Sequence, residues 1–295
     1  MKIGLGLDAG GSATRWTLCD AAGAPIAMGE VPSISGHLFS AAETAGQNAA
    51  TTALGRDLAA YPRPEVVVAG ITGLSSGTPA AAIAAQAIGQ AVGVPASAVR
   101  VRDDTWIAYH AAFARGEGHM VYAGTGSIGL HVRDDATTVR VGGRGMLIDD
   151  AGSGFWIGRE ALNLVWRRRD AAPEWTSPLA AALDAAIGGA DWNAARTYVY
   201  GGGRTAVALL ARAVAAADDA DACAILSRAG EELARLAQTL ASLAGEKPVA
   251  LIGRAAGLHP IILAAMRAAA PNLAITRRTP DLAFAAARLA LDPTG

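Results

Sequence analysis

Cysteine and lysine are scarce in this sequence, and each shortage excludes a class of site. The chain has two cysteines among 295 residues, Cys19 and Cys223, and they form no CxxC pair. Such isolated cysteines supply no ligand set for zinc or for an iron–sulfur cluster. The two lysines, Lys2 and Lys247, lie outside any GxxxxGK[ST] pattern. A Walker A phosphate loop is therefore excluded.

Charge and long apolar runs are scarce as well. Charged residues make up 17% of the chain, and the formal net charge is −1. The longest basic run, residues 167–169, closes a predicted helix, so nothing would follow a nucleic-acid backbone. No apolar run reaches the roughly 18 residues of a membrane span. The opening MKIGLGLDAGG lacks a secretory apolar region, so we expect a cytoplasmic protein without nucleic-acid or membrane partners.

A glycine-rich hairpin occurs twice in the chain. The segments KIGLGLDAGGSATRWTLCDAAGAPIAMGE and HMVYAGTGSIGLHVRDDATTVRVGG each have a strand, a small-residue turn, a strand, an aspartate turn and a third strand. Ser12 and Ser127 each lie eight residues before an aspartate, Asp20 and Asp135. Glycine turns present backbone N–H groups without bulky side chains, which suits them to phosphate. Two such turns predict a nucleotide held from both sides.

Helices and strands alternate after each hairpin, so that each half is predicted to be βββαβα. Residues 39–60 have helical spacing, and residues 65–72 have the composition of a buried strand. Beyond the second hairpin, helices are predicted in GSGFWIGREALNLVWRRR, TAVALLARAVAAA and DACAILSRAGEELARLAQTLASLAG. A strand, PVALIG, a helix and a last strand and helix complete the chain. This length is sufficient for two domains.

Two turns carry the candidate phosphate chemistry. DAGGSAT, residues 8–14, places Asp8 where it could hold magnesium beside phosphates, although a capped hairpin turn is the simpler interpretation. GTGSIG, residues 124–129, matches the GxGxxG dinucleotide pattern. A Rossmann turn must open into a helix, whereas strand alternation continues here and no helix is predicted before Gly154.

Two aspartate pairs precede predicted helices. Asp103 and Asp104 end a strand before TWIAYHAAF, where they either cap the helix or supply a general base, the role that we assign to Asp104. Asp149 and Asp150 precede GSGFWIG, where they either cap that helix or accept hydrogen bonds from sugar hydroxyls. The segment LIGRAAG has a small-residue turn that serves packing or the approach of a flat base.

These residues together resemble the actin, heat-shock chaperone and sugar-kinase superfamily, and within it the N-acetylglucosamine and glucosamine kinases. The matching segments are LDAGGSAT, DDTWIA, AGTGS, GGRGMLIDDAGS and LIGRAAG, in family order over essentially the whole chain. The resemblance implies ATP and Mg²⁺ as cofactors, Asp104 as catalytic base and Asp8 as the magnesium-associated acid. It implies ATP contacts at Asp8, Gly10, Gly11, Ser12, Thr14, Gly124, Thr125, Gly126, Ser127, Gly253, Arg254 and Gly257. It implies sugar contacts at His37, Asp104, Gly143, Gly145 and Asp150.

The same resemblance implies an α/β fold of two RNase H-like domains with the nucleotide in a cleft between them. We expect the first domain to comprise residues 1–104 and 280–295, and the second residues 105–279. The expected reaction is ATP-dependent phosphorylation of the 6-hydroxyl of an amino sugar, foremost N-acetylglucosamine. Glucosamine and N-acetylmuramic acid remain alternative acceptors, and a homodimer remains open.

The chain departs from the family pattern at three places. His37 stands where a sugar-binding asparagine is usual, Arg254 replaces the second glycine of the adenosine motif, and Arg144 replaces a common aromatic. Two rival functions belong to the same fold. One is the ATPase that activates 2-hydroxyacyl-CoA dehydratases, which needs cluster cysteines that Cys19 and Cys223 do not supply. The other is a sugar-sensing regulator, which would carry a helix-turn-helix before the first strand.

Overall fold

A computed structural model describes residues 2–10, 13–34, 41–74 and 76–292, with side chains from residue 46 onward in the third range. The described chain is mixed α/β, with two five-stranded sheets and nine α-helices among these residues. Its contacts divide it into two compact units, residues 1–112 with 280–295 and residues 113–279. The predicted fold class is confirmed.

The first unit is built on the sheet β3-β2-β1-β4-β5. Its strands are β1 (Gly4–Ala9), β2 (Ala13–Cys19), β3 (Pro25–Pro32), β4 (Val66–Ile71) and β5 (Val99–Arg102). The first three strands form an antiparallel meander, whereas β1, β4 and β5 run parallel. Strands β1 and β4 alternate little because both of their faces are buried.

Four helices cover the sheet of the first unit: α1 (Ala41–Leu58), α2 (Pro79–Val92), α3 (Asp104–His110) and α9 (Leu282–Leu291). Helix α9 comes from the C-terminal end of the chain and packs closely on β1. Gly6 permits this approach, because a Cβ there would lie 2.1 Å from the Ala287 nitrogen. Two cations bind carbonyls at the end of α9, where its dipole is negative: Lys2 reaches Leu291 at 2.9 Å, and Arg100 reaches Leu289 at 2.8 Å.

The second unit repeats this sheet, with strand order β10-β9-β6-β7-β8. Its strands are β6 (His119–Ala123), β7 (Ser127–Val132), β8 (Thr138–Gly142), β9 (Val249–Ile252) and β10 (Ile275–Arg277). Strands β6, β7 and β8 form the antiparallel meander, and β6, β9 and β10 run parallel. The turn aspartates also correspond. Asp20 accepts from the nitrogens of Ala22 and Ala24, and Asp135 accepts from the nitrogen of Thr137.

Five helices belong to the second unit: α4 (Gly154–Ala171), α5 (Pro178–Ile187), α6 (Trp192–Ala216), α7 (Ala220–Ala244) and α8 (Pro260–Ala269). Helix α4 begins at Gly154, as predicted. Helix α5 and the first half of α6 were not predicted from the sequence. Helix α6 is broken at Gly203, whose φ of 57° and ψ of −150° lie outside the helical region.

Both cysteines are free thiols, and burial raises the pKa of Cys19.

Three histidines of the second unit make hydrogen bonds that support its fold. His119 and His131 bind the carbonyls of Gly245 and Gly118, and His259 caps α8. Across the described ranges, no helix combines the length and apolarity needed to cross a bilayer.

Candidate functional site

The first candidate site lies at the carboxyl edge of β1 and β4 in the first unit. These neighbouring parallel strands place Asp8 opposite Gly70. The nitrogen of Thr72, directly after β4, donates to the carbonyl of Ala9 at 3.1 Å. Strand ends that lie side by side bring the residues after them to one edge of the sheet, which is where ligands bind in open α/β sheets.

Asp104 accepts a hydrogen bond at this edge of the sheet, whereas its neighbour Asp103 caps helix α3. The Asp103 carboxylate accepts from the Thr105 nitrogen at 2.9 Å, which satisfies a free donor at the start of α3, and it also accepts from the Thr105 hydroxyl. Asp104 accepts instead from the Thr72 hydroxyl at 2.7 Å. Asp103 therefore caps the helix, whereas Asp104 bonds the residue that follows β4, and the general-base role of Asp104 stays a prediction.

Two residues that sequence reasoning missed hold Asp104 in this place. Thr72 provides its hydrogen bond. Gly70 lets the first turn of α3 pack on β4, because a Cβ at Gly70 would lie 2.8 Å from Ile107 and 3.5 Å from the Cα of Asp104. The sequence carries a weak signal for both residues, namely a glycine and a threonine at the end of a buried strand.

The electrostatics of Asp104 suit proton transfer. The pKa of Asp104 is raised to about 6, because burial raises it more than the hydrogen bond from Thr72 lowers it, and the negative charge of Asp103 adds to the rise. A carboxylate with a pKa near 6 is largely ionised at neutral pH and can still hold a proton. Asp104 can therefore act as a general base.

The first glycine-rich turn follows β1. The Gly10 nitrogen donates to the Ala13 carbonyl at 3.1 Å, and the Ser33 hydroxyl donates to the Gly10 carbonyl at 2.6 Å. Thr14 is fully buried, and its hydroxyl oxygen accepts from the Ile34 nitrogen at 2.8 Å. The candidate residues Gly11, Ser12 and His37 lie outside the described residues. ATP contacts at Gly10 and Thr14 stay predictions.

The second glycine-rich turn, residues 124–126, is packed against the start of α4. The carbonyls of Gly124 and Thr125 accept from the nitrogens of Gly154 at 2.9 Å and Phe155 at 3.2 Å. In a trans peptide the N–H points away from the carbonyl that precedes it. The N–H groups of Thr125 and Gly126 therefore point away from α4, and they have no acceptor among the described residues. Two neighbouring free donors of this kind suit phosphate oxygens.

Asp150 lies against this turn and pairs with Arg204, a residue that sequence reasoning missed. Asp150 is 2% exposed, and its carboxylate accepts from Arg204 at 2.7 Å and from the Ser127 nitrogen at 3.4 Å. Of the two alternatives for Asp149 and Asp150, capping does not hold, because the Ser153 hydroxyl caps α4. The signal for Arg204 is the run of three glycines before it, which is unusual inside a helix.

The predicted sugar segment leaves β8 and returns to Asp150. Gly142, Gly143 and Gly145 all have positive φ, between 67° and 85°, which favours glycine. The Gly145 carbonyl accepts from the nitrogens of Ile148 and Asp149, so the segment turns back there. Sugar contacts at Gly143, Gly145 and Asp150 stay predictions.

The predicted adenosine segment lies at the same edge as the second turn, because β9 pairs with β6 in parallel. Gly253 has a φ of 108°, and a Cβ there would lie 2.3 Å from the Ala123 carbonyl oxygen, so only glycine fits. Gly257 lies under the guanidinium of Arg277. Arg254 is exposed. ATP contacts at these residues stay predictions.

Asp8 is the candidate metal residue. Within the described part of the chain, no three His, Cys, Asp or Glu side chains gather into a group that could hold a metal. Magnesium that arrives on a nucleotide needs only one or two carboxylates besides the phosphates. A single carboxylate beside a glycine-rich turn, which is the position of Asp8 in β1, fits that requirement.

Comparison with known proteins gives a family match and several similar structures. The BadF/BadG/BcrA/BcrD ATPase family matches residues 5–266. The chain belongs to this family. Its structure resembles a protein of Chromobacterium violaceum provisionally named an N-acetylglucosamine kinase, with a TM-score of 0.78 and 27% identity over 99% of both chains. A Porphyromonas gingivalis protein with the same provisional name has a TM-score of 0.78 and 17% identity over 100% of both chains.

A sugar kinase also shares the fold. The ROK family glucokinase of Streptomyces griseus, solved with glucose and AMPPNP, has a TM-score of 0.61 and 16% identity over 97% of this chain and 98% of its own. No curated protein sequence matches the chain significantly. The resemblance to the actin-like ATPase superfamily is confirmed by the family match and by the fold.

Proposed function

We propose that this ATPase-family protein transfers the γ-phosphoryl group of ATP to the 6-hydroxyl of an amino sugar, with N-acetylglucosamine as the first candidate. The observation that carries the proposal is the position of Asp104. Its carboxylate is held by Thr72 at 2.7 Å, and its pKa is about 6. A hydrolase can use water without a dedicated base, whereas transfer to a sugar hydroxyl benefits from a carboxylate that takes the proton.

The proposed reaction depends on positioning. Asp104 accepts the proton of the attacking hydroxyl, and the bond from Thr72 fixes the orientation of its carboxylate. The free N–H groups of Thr125 and Gly126 bind phosphate oxygens and stabilise their charge. Phosphoryl transfer requires little covalent chemistry from the protein. Few reactive side chains are therefore needed.

Asp8 would hold Mg²⁺, directly or through water, beside the phosphates. When bound, the ion neutralises charge that develops on the transferred group. The remaining proposed ATP contacts are those of the two glycine-rich turns and of the segment 253–257.

The choice of an amino sugar rests on two observations. The resemblance in the sequence is to N-acetylglucosamine and glucosamine kinases, and the structurally similar Chromobacterium violaceum protein has a provisional name of that kind. The proposed sugar contacts are His37, Gly143, Gly145 and Asp150, together with Asp104. Glucosamine and N-acetylmuramic acid are the alternative acceptors.

A second candidate function is ATP hydrolysis without sugar phosphorylation, which the ATPase family match favours. A cluster-bearing activator is less consistent with the described thiols, because Cys19 is buried and burial raises its pKa. Cluster ligation requires the thiolate form.

The purified protein tests both candidates in one experiment. It is incubated with MgATP and, separately, with N-acetylglucosamine, glucosamine, N-acetylmuramic acid, glucose or no sugar. ADP is followed by a coupled assay, and sugar phosphate is identified by mass spectrometry. The proposal expects ADP and sugar phosphate in equal amounts with an amino sugar. If ADP is released at the same rate without sugar and no sugar phosphate forms, the protein is an ATP hydrolase and the sugar-kinase proposal is refuted.

A further inference from the structure

We propose that Arg204 compensates the charge of the buried Asp150 carboxylate at the second phosphate turn, and that this compensation allows a polyphosphate to bind there. The inference rests on the proposed nucleotide site, and it adds a residue to it. Arg204 is a positioning residue in this proposal, because it acts on the phosphates through Asp150 and through the shape of the turn.

The geometry joins Arg204, Asp150 and the turn in one cluster. Arg204 donates to Asp150 at 2.7 Å. A Cβ built on Gly126 would lie 2.3 Å from the Arg204 guanidinium and 2.9 Å from both Asp150 carboxylate oxygens. The ion pair therefore lies directly against the Cα of Gly126, whose N–H is one of the two free donors.

Asp150 alone would oppose phosphate binding. It is 2% exposed, so water screens its charge poorly, and it is close enough to accept from the Ser127 nitrogen at 3.4 Å. A buried negative charge beside a turn that binds an anion repels the ligand. The partner Arg204 removes this repulsion, because the pair has no net charge.

Arg204 also has hydrogen-bonding capacity left. Its side chain is 38% exposed, and its one hydrogen-bond partner in the described chain is Asp150. The buried Nε of Arg204 has no partner in that same part of the structure. A guanidinium has five donors, so the bond to Asp150 does not exhaust Arg204, and its positive charge remains available to balance the carboxylate.

The break in α6 places Arg204 at the turn. Gly203 has a φ of 57° and a ψ of −150°, so Arg204 begins a new helical segment. A side chain other than that of glycine would strain this conformation. Glycines 201–203 therefore break the helix and also position Arg204, the first residue after the break, at the site.

Variants that change the charge at Arg204 and at Asp150 test the proposal, and calorimetry measures their nucleotide affinity. Four proteins are titrated with ATP, ADP and AMP without sugar: the parent, Arg204→Ala, Asp150→Asn and the double variant. Arg212→Ala is the control, since Arg212 is exposed on the same helical segment and makes no hydrogen bond or ion pair with any residue that the structure describes. Thermal unfolding and circular dichroism report whether each variant is folded.

The affinity for ATP should follow the net charge of the pair. Arg204→Ala, with a charge of −1, should bind ATP about 10-fold more weakly than the parent. The double variant, without charge, should return to within about 3-fold of the parent, and Asp150→Asn should bind at least as tightly. AMP should change least because it carries the least charge, and Arg212→Ala should match the parent.

Two results would overturn the inference. The first is parent-like ATP affinity in Arg204→Ala, and the second is an equal loss for ATP, ADP and AMP, which indicates a structural role. If Arg204→Ala does not fold, the double variant is compared with Asp150→Asn: without the Asp150 charge, loss of Arg204 should change ATP affinity by no more than about 3-fold, and a loss of about 10-fold or more would refute compensation. Failure of the proposed function is distinct, because it would be seen in the parent itself, which would form no sugar phosphate or would not bind ATP.

Discussion

The two glycine-rich turns occupy the same place in their sheets but differ in what holds them. The first lies between the paired residues Ala9 and Thr14, and the second, residues 124–126, lies between the paired residues Ala123 and Ser127. The first follows the strand that carries Asp8. The second is packed by the start of α4 and by the pair of Asp150 and Arg204.

This difference shows which elements supply the residues around each turn. The sheets share their strand order, and both aspartate turns use the same kind of hydrogen bond. The second unit has four helices, α4 to α7, between its meander and its next strand, where the described residues of the first form α1 alone. The residues that modify the second turn come from this insertion and from the loop before it. Asp104, the proposed base, belongs to α3 of the first unit.

The largest expected effect concerns the base in the first unit. Asp104→Asn should lower kcat for sugar phosphorylation by roughly 100-fold or more, with the ATP dissociation constant nearly unchanged, because it removes the proton acceptor alone. Asp103→Asn is the matched control, since asparagine also caps helices. Steady-state kinetics and ATP calorimetry provide the measurement. A kcat for Asp104→Asn within about 2-fold of the parent would refute the role.

A glycine in each turn compares the two directly. Gly126→Ala should weaken ATP binding about 10-fold, because its Cβ would displace Arg204 and Asp150. Gly10→Ala should lose less ATP affinity than Gly126→Ala, since among the described residues outside its chain neighbours its Cβ would come no closer than 3.6 Å, to the Ala13 oxygen. ATP titrations of both variants give the ratio. Equal losses would mean that the pair of Asp150 and Arg204 does not distinguish the turns.

The magnesium assignment predicts a selective change at Asp8. Asp8→Ala should raise the magnesium concentration needed for half-maximal ATP turnover by about 10-fold while sugar affinity stays within about 2-fold. Glu30→Ala is a suitable control because Glu30 belongs to an exposed ion pair with Arg15. Magnesium titrations and sugar calorimetry separate the effects. Lost sugar affinity with an unchanged magnesium requirement would contradict the assignment.

The smallest effect is on stability. The pKa of Asp104 is raised to about 6 in the folded protein, so the folded state keeps a proton that the unfolded state releases near pH 4. Stability from this group is complete below about pH 4 and is lost as pH rises through about 6. Relative to Asp104→Asn, the parent should lose about 1–3 kcal/mol of unfolding free energy between about pH 4 and 7. Urea unfolding of both proteins at several pH values measures this difference. If the free energies of unfolding of the parent and of Asp104→Asn change in parallel with pH, the prediction is refuted.

The sequence predicted what depends on local pattern. The duplicated meander, the start of α4 at Gly154 and the strand endings are visible as alternation, glycine turns and composition. Helix α5 was missed because its alanine-rich sequence has little periodicity. The first half of α6 was missed because it runs into glycines 201–203, which disfavour a helix.

The site was predictable only in part, for a physical reason. Asp104 could be placed by its position between a strand and a helix, but its partner Thr72 lies 32 residues away in the chain. Arg204 lies 54 residues from Asp150. Such contacts depend on tertiary packing, and neither a threonine after a strand nor an arginine in a helix shows them by itself.

The pH dependence of phosphorylation tests the central claim most directly. The kcat/KM for the best amino sugar is measured from about pH 4.5 to 8.5 for the parent and for Asp104→Asn, with MgATP saturating. If Asp104 is the base, the parent rate rises with pH through about 6, where its carboxyl ionises. In Asp104→Asn this rise should disappear. The same acidic limb in both proteins would contradict the assignment of Asp104 as the group that takes the proton.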